Sequence, residues 1–221
     1  MSIRAARANL APGLALQTMA ISIVALYYFW SASSGFFEGI AVLKDRYSFA
    51  YSALTTCVFG GLVPFFYLLA TGKVPAGRVW SVGAFFALFW TWKGLEVDVL
   101  YRWQAVMFGE AATAATVAKK VAFDQFVYCP LVSAPGTALA YRWMECGFSG
   151  RRFWRALNRR FFTLEIPSVL VAIWIVWIPG TSAIYSLPTL LQLPLFTLVL
   201  CFYVLLVSAL DKSKPKSETL A

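Results

Sequence analysis

The 221-residue chain is 60% hydrophobic, 17% aromatic and only 13% charged, roughly half the charged share of an ordinary soluble domain. Its 19 Lys and Arg against 10 Asp and Glu give a net charge of +9, carried in short loops beside apolar runs, which orients membrane proteins and argues against nucleic-acid binding. Histidine is absent, which excludes Ser-His and Cys-His catalysis and His-ligated metals, and four scattered cysteines without C-x-x-C spacing suggest neither a disulfide scaffold nor a metal site.

Met1 to Gln17 carries Arg4 and Arg7 and no acid, and an apolar run from Leu14 to Trp30 follows. With Ser31-Ala32-Ser33 behind it, this stretch has the layout of a cleavable signal peptide, and its composition also fits organellar targeting. The aromatic end Tyr27-Tyr28-Phe29-Trp30 favours a retained first transmembrane helix with an interfacial belt. Ser31 to Arg46 reads as a linker. Tyr47 to Ala70 is a second span whose Gly60-Gly61 pair suits close helix packing, with Pro64 just after it.

Val79 to Trp92 is apolar but too short to cross unless it continues through Lys93, Glu96 and Asp98 towards Trp103. Continued as helix, it sets Lys93 against Glu96 at i,i+3 and Asp98 against Arg102 at i,i+4. Ionisable groups at membrane depth are functional candidates, and the competing reading puts these pairs at the far interface, neutralising each other. Val121 to Trp143 forms the next span, interrupted by Pro130 and Pro135, with Lys120 and Asp124 one turn apart and spaced to pair. The segment Arg151 to Phe162 gathers Phe153, Trp154, Leu157 and Phe161 on one helical face and Arg151, Arg152, Arg155 and Arg159 on the other, as in a helix lying among anionic lipid headgroups.

From Ile166 to Leu210 the chain runs 45 residues without a charge. As helix that is about 67 Å at ~1.5 Å per residue, against a hydrocarbon core of about 30 Å, so it predicts two crossings. Pro179-Gly180 is read as a kink in the first and the turn at Pro188 as the connection to the second. The expectation is an all-α, polytopic transmembrane helix bundle of about six apolar spans, residues 1–210, with one basic amphipathic interfacial helix and a short disordered tail at 211–221. Both termini, Lys73, Arg78 and the Arg151–Arg160 cluster fall on one side, the cytoplasm-equivalent one.

Phe59-Gly60-Gly61-Leu62-Val63-Pro64-Phe65-Phe66-Tyr67, then Lys120 with Asp124-Gln125 and Pro130, form an ordered set of motifs. Pro167 with Trp177-Ile178-Pro179 and Tyr185-Ser186-Leu187-Pro188, then Cys201-Phe202-Tyr203 and Ser208, complete it. Over residues 47–210 this order resembles the family of small membrane proteins named after Mpv-seventeen, whose core has four spans. Gly180, Thr181, Ala183 and Gln192 depart from that pattern, and Ser81 to Glu110 is longer than animal members need. The resemblance implies a channel-like or transport-associated protein of mitochondrial inner or peroxisomal membranes in a eukaryote; in a bacterium the cytoplasmic membrane is expected.

Together these signals predict passage of small solutes without enzymatic chemistry or cofactor. Lys93, Glu96, Asp98, Arg102, Lys120, Asp124 and Gln125 would face a wet cavity, with Pro130, Pro135, Pro179 and Pro188 as hinges. The alternative is a structural membrane protein whose paired charges only lock helices. An enzyme using Glu96 and Asp98 is the weakest reading, because the two point about 160° apart on a helix. The expected partners are the bilayer, anionic headgroups, a small solute and a second copy of the chain, with no nucleic acid.

Overall fold

The computed structural model describes the backbone of Ser2–Leu210, and side chains from residue 13 to 205 apart from 169 and 172. The Arg4 and Arg7 side chains and the tail from Asp211 lie outside the described residues. Within them the chain is all helical, with no strand. The elements are α1 (Ser2–Phe29), α2 (Ser34–Thr56), α3 (Val63–Ala70), α4 (Val79–Phe108), α5 (Ala114–Phe123), α6 (Ala134–Glu145), α7 (Gly150–Ala156), α8 (Ile166–Tyr185) and α9 (Thr189–Leu210).

Side-chain contacts fix the direction of each pass. Gln17 of α1 donates to the Ile175 carbonyl and Tyr28 to the Ser186 carbonyl, so α1 and α8 run parallel. Gly61 and Gly94 sit against Trp90 and Thr56 respectively, which sets α4 antiparallel to α2–α3. Trp103 meets Phe123, while Lys93 reaches Ser133 and Trp90 reaches Tyr141, so α5–α6 returns antiparallel to α4. Thr56 lies beside Thr197 and Gly60 beside Leu200, which makes α9 parallel to α2. The chain thus passes along the bundle six times in alternation: α1, α2–α3, α4, α5–α6, α8 and α9.

One helix, Ser31–Ala70, is long and apolar enough to cross a membrane, and a bent pair, Phe161–Ser168 with Ile173–Tyr185, makes a second if it is one span. Gly13–Phe29 and Thr189–Leu205 are shorter apolar helices. The first of these findings corrects the linker expected at Ser31–Arg46, which is helical: Phe37 and Lys44 are buried and tie it to the bundle. The break comes later, at Ser48, whose backbone (φ 47, ψ −118) is non-helical.

Prolines shape three of the passes in one way. A proline lacks an N–H and its ring crowds the carbonyl four residues back, so the preceding turn must open. Wide, i→i+5 turns precede Pro64 (Cys57–Leu62), surround Pro130 and precede Pro135 (Asp124–Ser133), and precede Pro167 (Phe161–Glu165). Pro179, expected to kink α8, is passed without a break; the 46° bend falls between Ser168 and Ile173. Pro188 does form the turn between α8 and α9.

The amphipathic helix expected over Arg151–Phe162 is interrupted. α7 ends at Ala156, Leu157 is non-helical (ψ 72), and the Asn158 side chain accepts from the Phe161 N–H at 3.0 Å. A short polar side chain that bonds nearby backbone starts a new helix rather than continuing the old one. Arg151, Arg152, Arg155 and Arg159 are exposed, as expected, but so is Trp154, which the helical wheel had placed on the apolar face.

Candidate functional site

Several charges lie inside the bundle. Lys44, Lys93, Lys120, Asp98, Asp124 and Gln125 are buried, while Trp80, Leu88, Val106 and Leu131 are among many large apolar side chains left outside. α4 shows the division on a single helix: exposed Leu88, Trp92, Val99 and Trp103 line one face, and buried Lys93, Asp98 and Gln104 lie off it.

Three clusters organise the buried polar groups. In the first, Lys44 Nζ donates to Asp98 Oδ2 at 2.7 Å, to Ser52 Oγ at 2.8 Å and to the Ser48 carbonyl at 3.1 Å. Ser52 Oγ donates to Asp98 Oδ2 at 2.6 Å. Arg102 adds Nε to Asp98 Oδ1 at 3.0 Å and Nη2 to Ser48 Oγ at 2.8 Å. The i,i+4 pair expected from the sequence is present, but it is half of a larger device. Lys44 reaches Asp98 across 54 residues of sequence and clamps the broken turn at Ser48. Lys44, Ser48 and Ser52 stand at i, i+4 and i+8, and reading Ser31–Arg46 as a linker hid that shared face.

In the second cluster Lys93 Nζ donates to Glu96 Oε1 at 2.7 Å and to Ser133 Oγ at 3.2 Å, and the Tyr128 hydroxyl donates to the same Glu96 oxygen. This i,i+3 pair is also as expected, and Lys93 stands midway along α4, not at its end. Glu96 and Asp98 serve separate clusters, in keeping with their angular separation.

The third cluster corrects the sequence. Asp124 Oδ2 accepts from the Tyr185 hydroxyl at 2.6 Å, and among the described residues no hydrogen bond or ion pair joins it to Lys120. The turn between them is α-helical, the Asp124 N–H bonding to the Lys120 carbonyl, so the spacing is kept and it is the hydroxyl on α8 that takes the carboxylate instead. Gln125 next to it is buried, its backbone carbonyl accepting from Trp174 Nε1 at 2.8 Å while its side-chain oxygen has no partner. We therefore expect Asp124→Asn and Tyr185→Phe to be coupled by about 1 kcal/mol in a double-mutant cycle of thermal stability, and Asp124→Asn with Lys120→Met to be nearly additive. Coupling to Lys120 instead would restore the ion pair.

The first cluster opens on a cleft of about 560 Å³ at the end of the bundle where α4 finishes and α9 begins. Lys44, Asp98 and Arg102 form one wall and Glu110, Pro188 and Thr189 another. Among the described residues, no group of three or more His, Cys, Asp or Glu could hold a metal ion. No family model, no curated protein and no solved structure matches this chain.

Proposed function

We propose that the chain is a multi-pass integral membrane protein, channel-like or transport-associated, that passes small solutes or regulates their passage. The observation that carries this reading is a bundle that buries ion pairs and amides within its apolar core while many large apolar side chains, tryptophans and leucines among them, stand on its outside. In water that arrangement is unfavourable on both counts, whereas in lipid the outer face costs nothing and the inner one is where ionisable residues belong. Lys93, Glu96 and Asp98 lower the mean hydropathy of α4, yet they bond to Ser133, Tyr128 and Lys44 of other segments, which leaves its outward surface largely apolar. Six alternating passes put Arg78, Arg151, Arg152, Arg155 and Arg159 at one end, and that bias supports a cytoplasm-equivalent location for it. The order of motifs resembling the Mpv-seventeen family supports the same assignment.

The competing reading, a helix lock without conduction, is favoured by the saturation of the first cluster: Lys44 makes three hydrogen bonds, all of them internal. Two measurements decide. Single cysteines at Ser149 and Ala112 in sealed vesicles are expected to label from opposite sides; labelling from the same side would remove the six-span topology. Purified protein in proteoliposomes is expected to release small polar solutes faster than empty liposomes; release no faster than the empty control leaves the lock.

A further inference from the structure

The cleft beside the first cluster is lined by charges that its own residues do not all use. Lys44 and Asp98 line it with only 2% and 3% of their surface exposed, and Arg102 stands beside them. Both Asp98 oxygens are taken, by Lys44, Ser52 and Arg102, so two cations share one carboxylate and this wall keeps a positive excess. Lys44 directs its hydrogens into the cluster. Arg102 does not: Nε goes to Asp98 and Nη2 to Ser48, and among the described residues Nη1 makes no hydrogen bond. Those two bonds and the Phe49 ring, 4.6 Å from the guanidinium carbon, hold the group in place.

The facing wall has the opposite character. α4 ends at Phe108, and Gly109, with φ 91, turns the chain so that Glu110 lines the same cleft. Glu110 is exposed, and among the described residues no hydrogen bond or ion pair reaches its carboxylate. Lys120 lies within its electrostatic range but lines no part of the cleft. Beside Glu110, in the first turn of α9, the Thr189 hydroxyl is shielded and has no partner. A buried hydroxyl without a partner is unfavourable unless a guest or a water completes it. Val106, Leu190 and Leu193 supply the apolar part of the lining.

We propose that this cleft binds a small zwitterion, a molecule carrying a carboxylate and an ammonium on a short apolar frame. The carboxylate accepts from Arg102 Nη1 and from the Thr189 hydroxyl, at a helix start whose dipole also favours negative charge. The ammonium donates to Glu110, and the frame lies against Val106, Leu190 and Leu193. The balance of charge selects this class over simpler ions. Lys44 and Arg102 are matched by Asp98 and Glu110, so the cleft as a whole is neutral with its excess charges on different walls. A lone anion satisfies Arg102 and is repelled by Glu110, and a lone cation meets the reverse. The volume of about 560 Å³ lies in the range of small-molecule pockets. This assignment names a solute class for the transport reading and rests on it only for its meaning, since binding can occur without conduction.

The test is thermal unfolding of the full chain in an uncharged detergent, titrated with glycine and with 4-aminobutyrate, which hold their charges at different separations. Sodium acetate and methylammonium chloride, at matched ionic strength, each supply one half of the guest. A saturable rise of roughly 5 °C is expected with at least one zwitterion and none with either half. Arg102→Gln and Glu110→Gln are each expected to weaken that response by about tenfold or more in concentration, and Arg151→Gln, at the other end of the bundle, to leave it unchanged. Glu110→Gln should in addition let acetate alone raise the melting temperature, which a merely structural role would not produce. Should Arg102→Gln fail to fold, Glu110→Gln decides. Silence with both zwitterions, an equal response to either half in the parent, variants that respond like the parent, or a rise that never saturates overturns the site. Binding without release of the same zwitterion from proteoliposomes would retain the site and defeat transport; release without binding would do the reverse.

Discussion

Asp98→Asn is expected to be among the most destabilising single substitutions in the chain, by about 3–5 kcal/mol. Asp98 accepts from Lys44, Ser52 and Arg102 at once. The two cations are not equally dependent on it. The Arg102 side chain is 44% exposed and stacks on Phe49 at 4.6 Å, so it can turn outwards when Asp98 is neutral. Lys44 has 3% of its side chain exposed and no such route, so the cost is that of stranding one ammonium among packed helices. Two consequences follow. Lys44→Met combined with Asp98→Asn should recover most of the loss, because a neutral pair of similar size leaves no charge unpaired. Arg102→Gln alone should cost about 1 kcal/mol or less. Melting curves of the four proteins in detergent settle it: an Asp98→Asn variant that melts with the parent, or a double mutant no better than the single, means the cluster contributes little.

Gly94→Leu is expected to be the other severe change. A side chain at Gly94 would place its first carbon 2.8 Å from Thr56 Cβ and closer still to the Ser52 carbonyl oxygen. The first obstacle includes backbone, which cannot rotate away, so α2 and α4 must separate. Overpacking costs about 1–3 kcal/mol where neighbours can yield, and here they cannot, so 3 kcal/mol is a floor estimate of about the right size. Separation also moves Ser52, which holds Asp98, so Gly94→Leu and Asp98→Asn should be less than additive. Gly39→Ala, at a position with open space around it, serves as the control and should be neutral or slightly stabilising. A Gly94→Leu protein that retains parental stability would mean the two helices meet less closely than described.

The sequence exposed what depends on composition and regular winding. The all-helical class, the continuation of α4 through Lys93 and Asp98, and the Lys93–Glu96 and Asp98–Arg102 pairs were legible, because α4 is an unbroken helix and its spacings keep their meaning. Where winding changes, or another helix supplies the partner, they lose it. Asn158 divides the arginine segment, and Asp124 is taken by a hydroxyl from another helix although its turn with Lys120 is regular. Of these, Asn158 carried a usable signal, a capping residue inside a supposed helix. The bond between Asp124 and Tyr185 offered none, since no spacing rule joins residues 61 apart in the chain.

The clamp at Ser48 has a consequence in time. Asp98 follows Lys44 by 54 residues, and synthesis proceeds at about 5–20 residues per second, so the lysine emerges some 3–11 seconds before its carboxylate. In the membrane setting proposed above, an unpaired ammonium would through that interval hold residues 34–47 at the aqueous boundary, where it stays hydrated. The bend in α2 would therefore be completed only when α4 arrives, making the two passes one unit of insertion. Slowing translation between Thr71 and Arg78 should then lengthen the lifetime of a protease-sensitive α2 without changing the final fold.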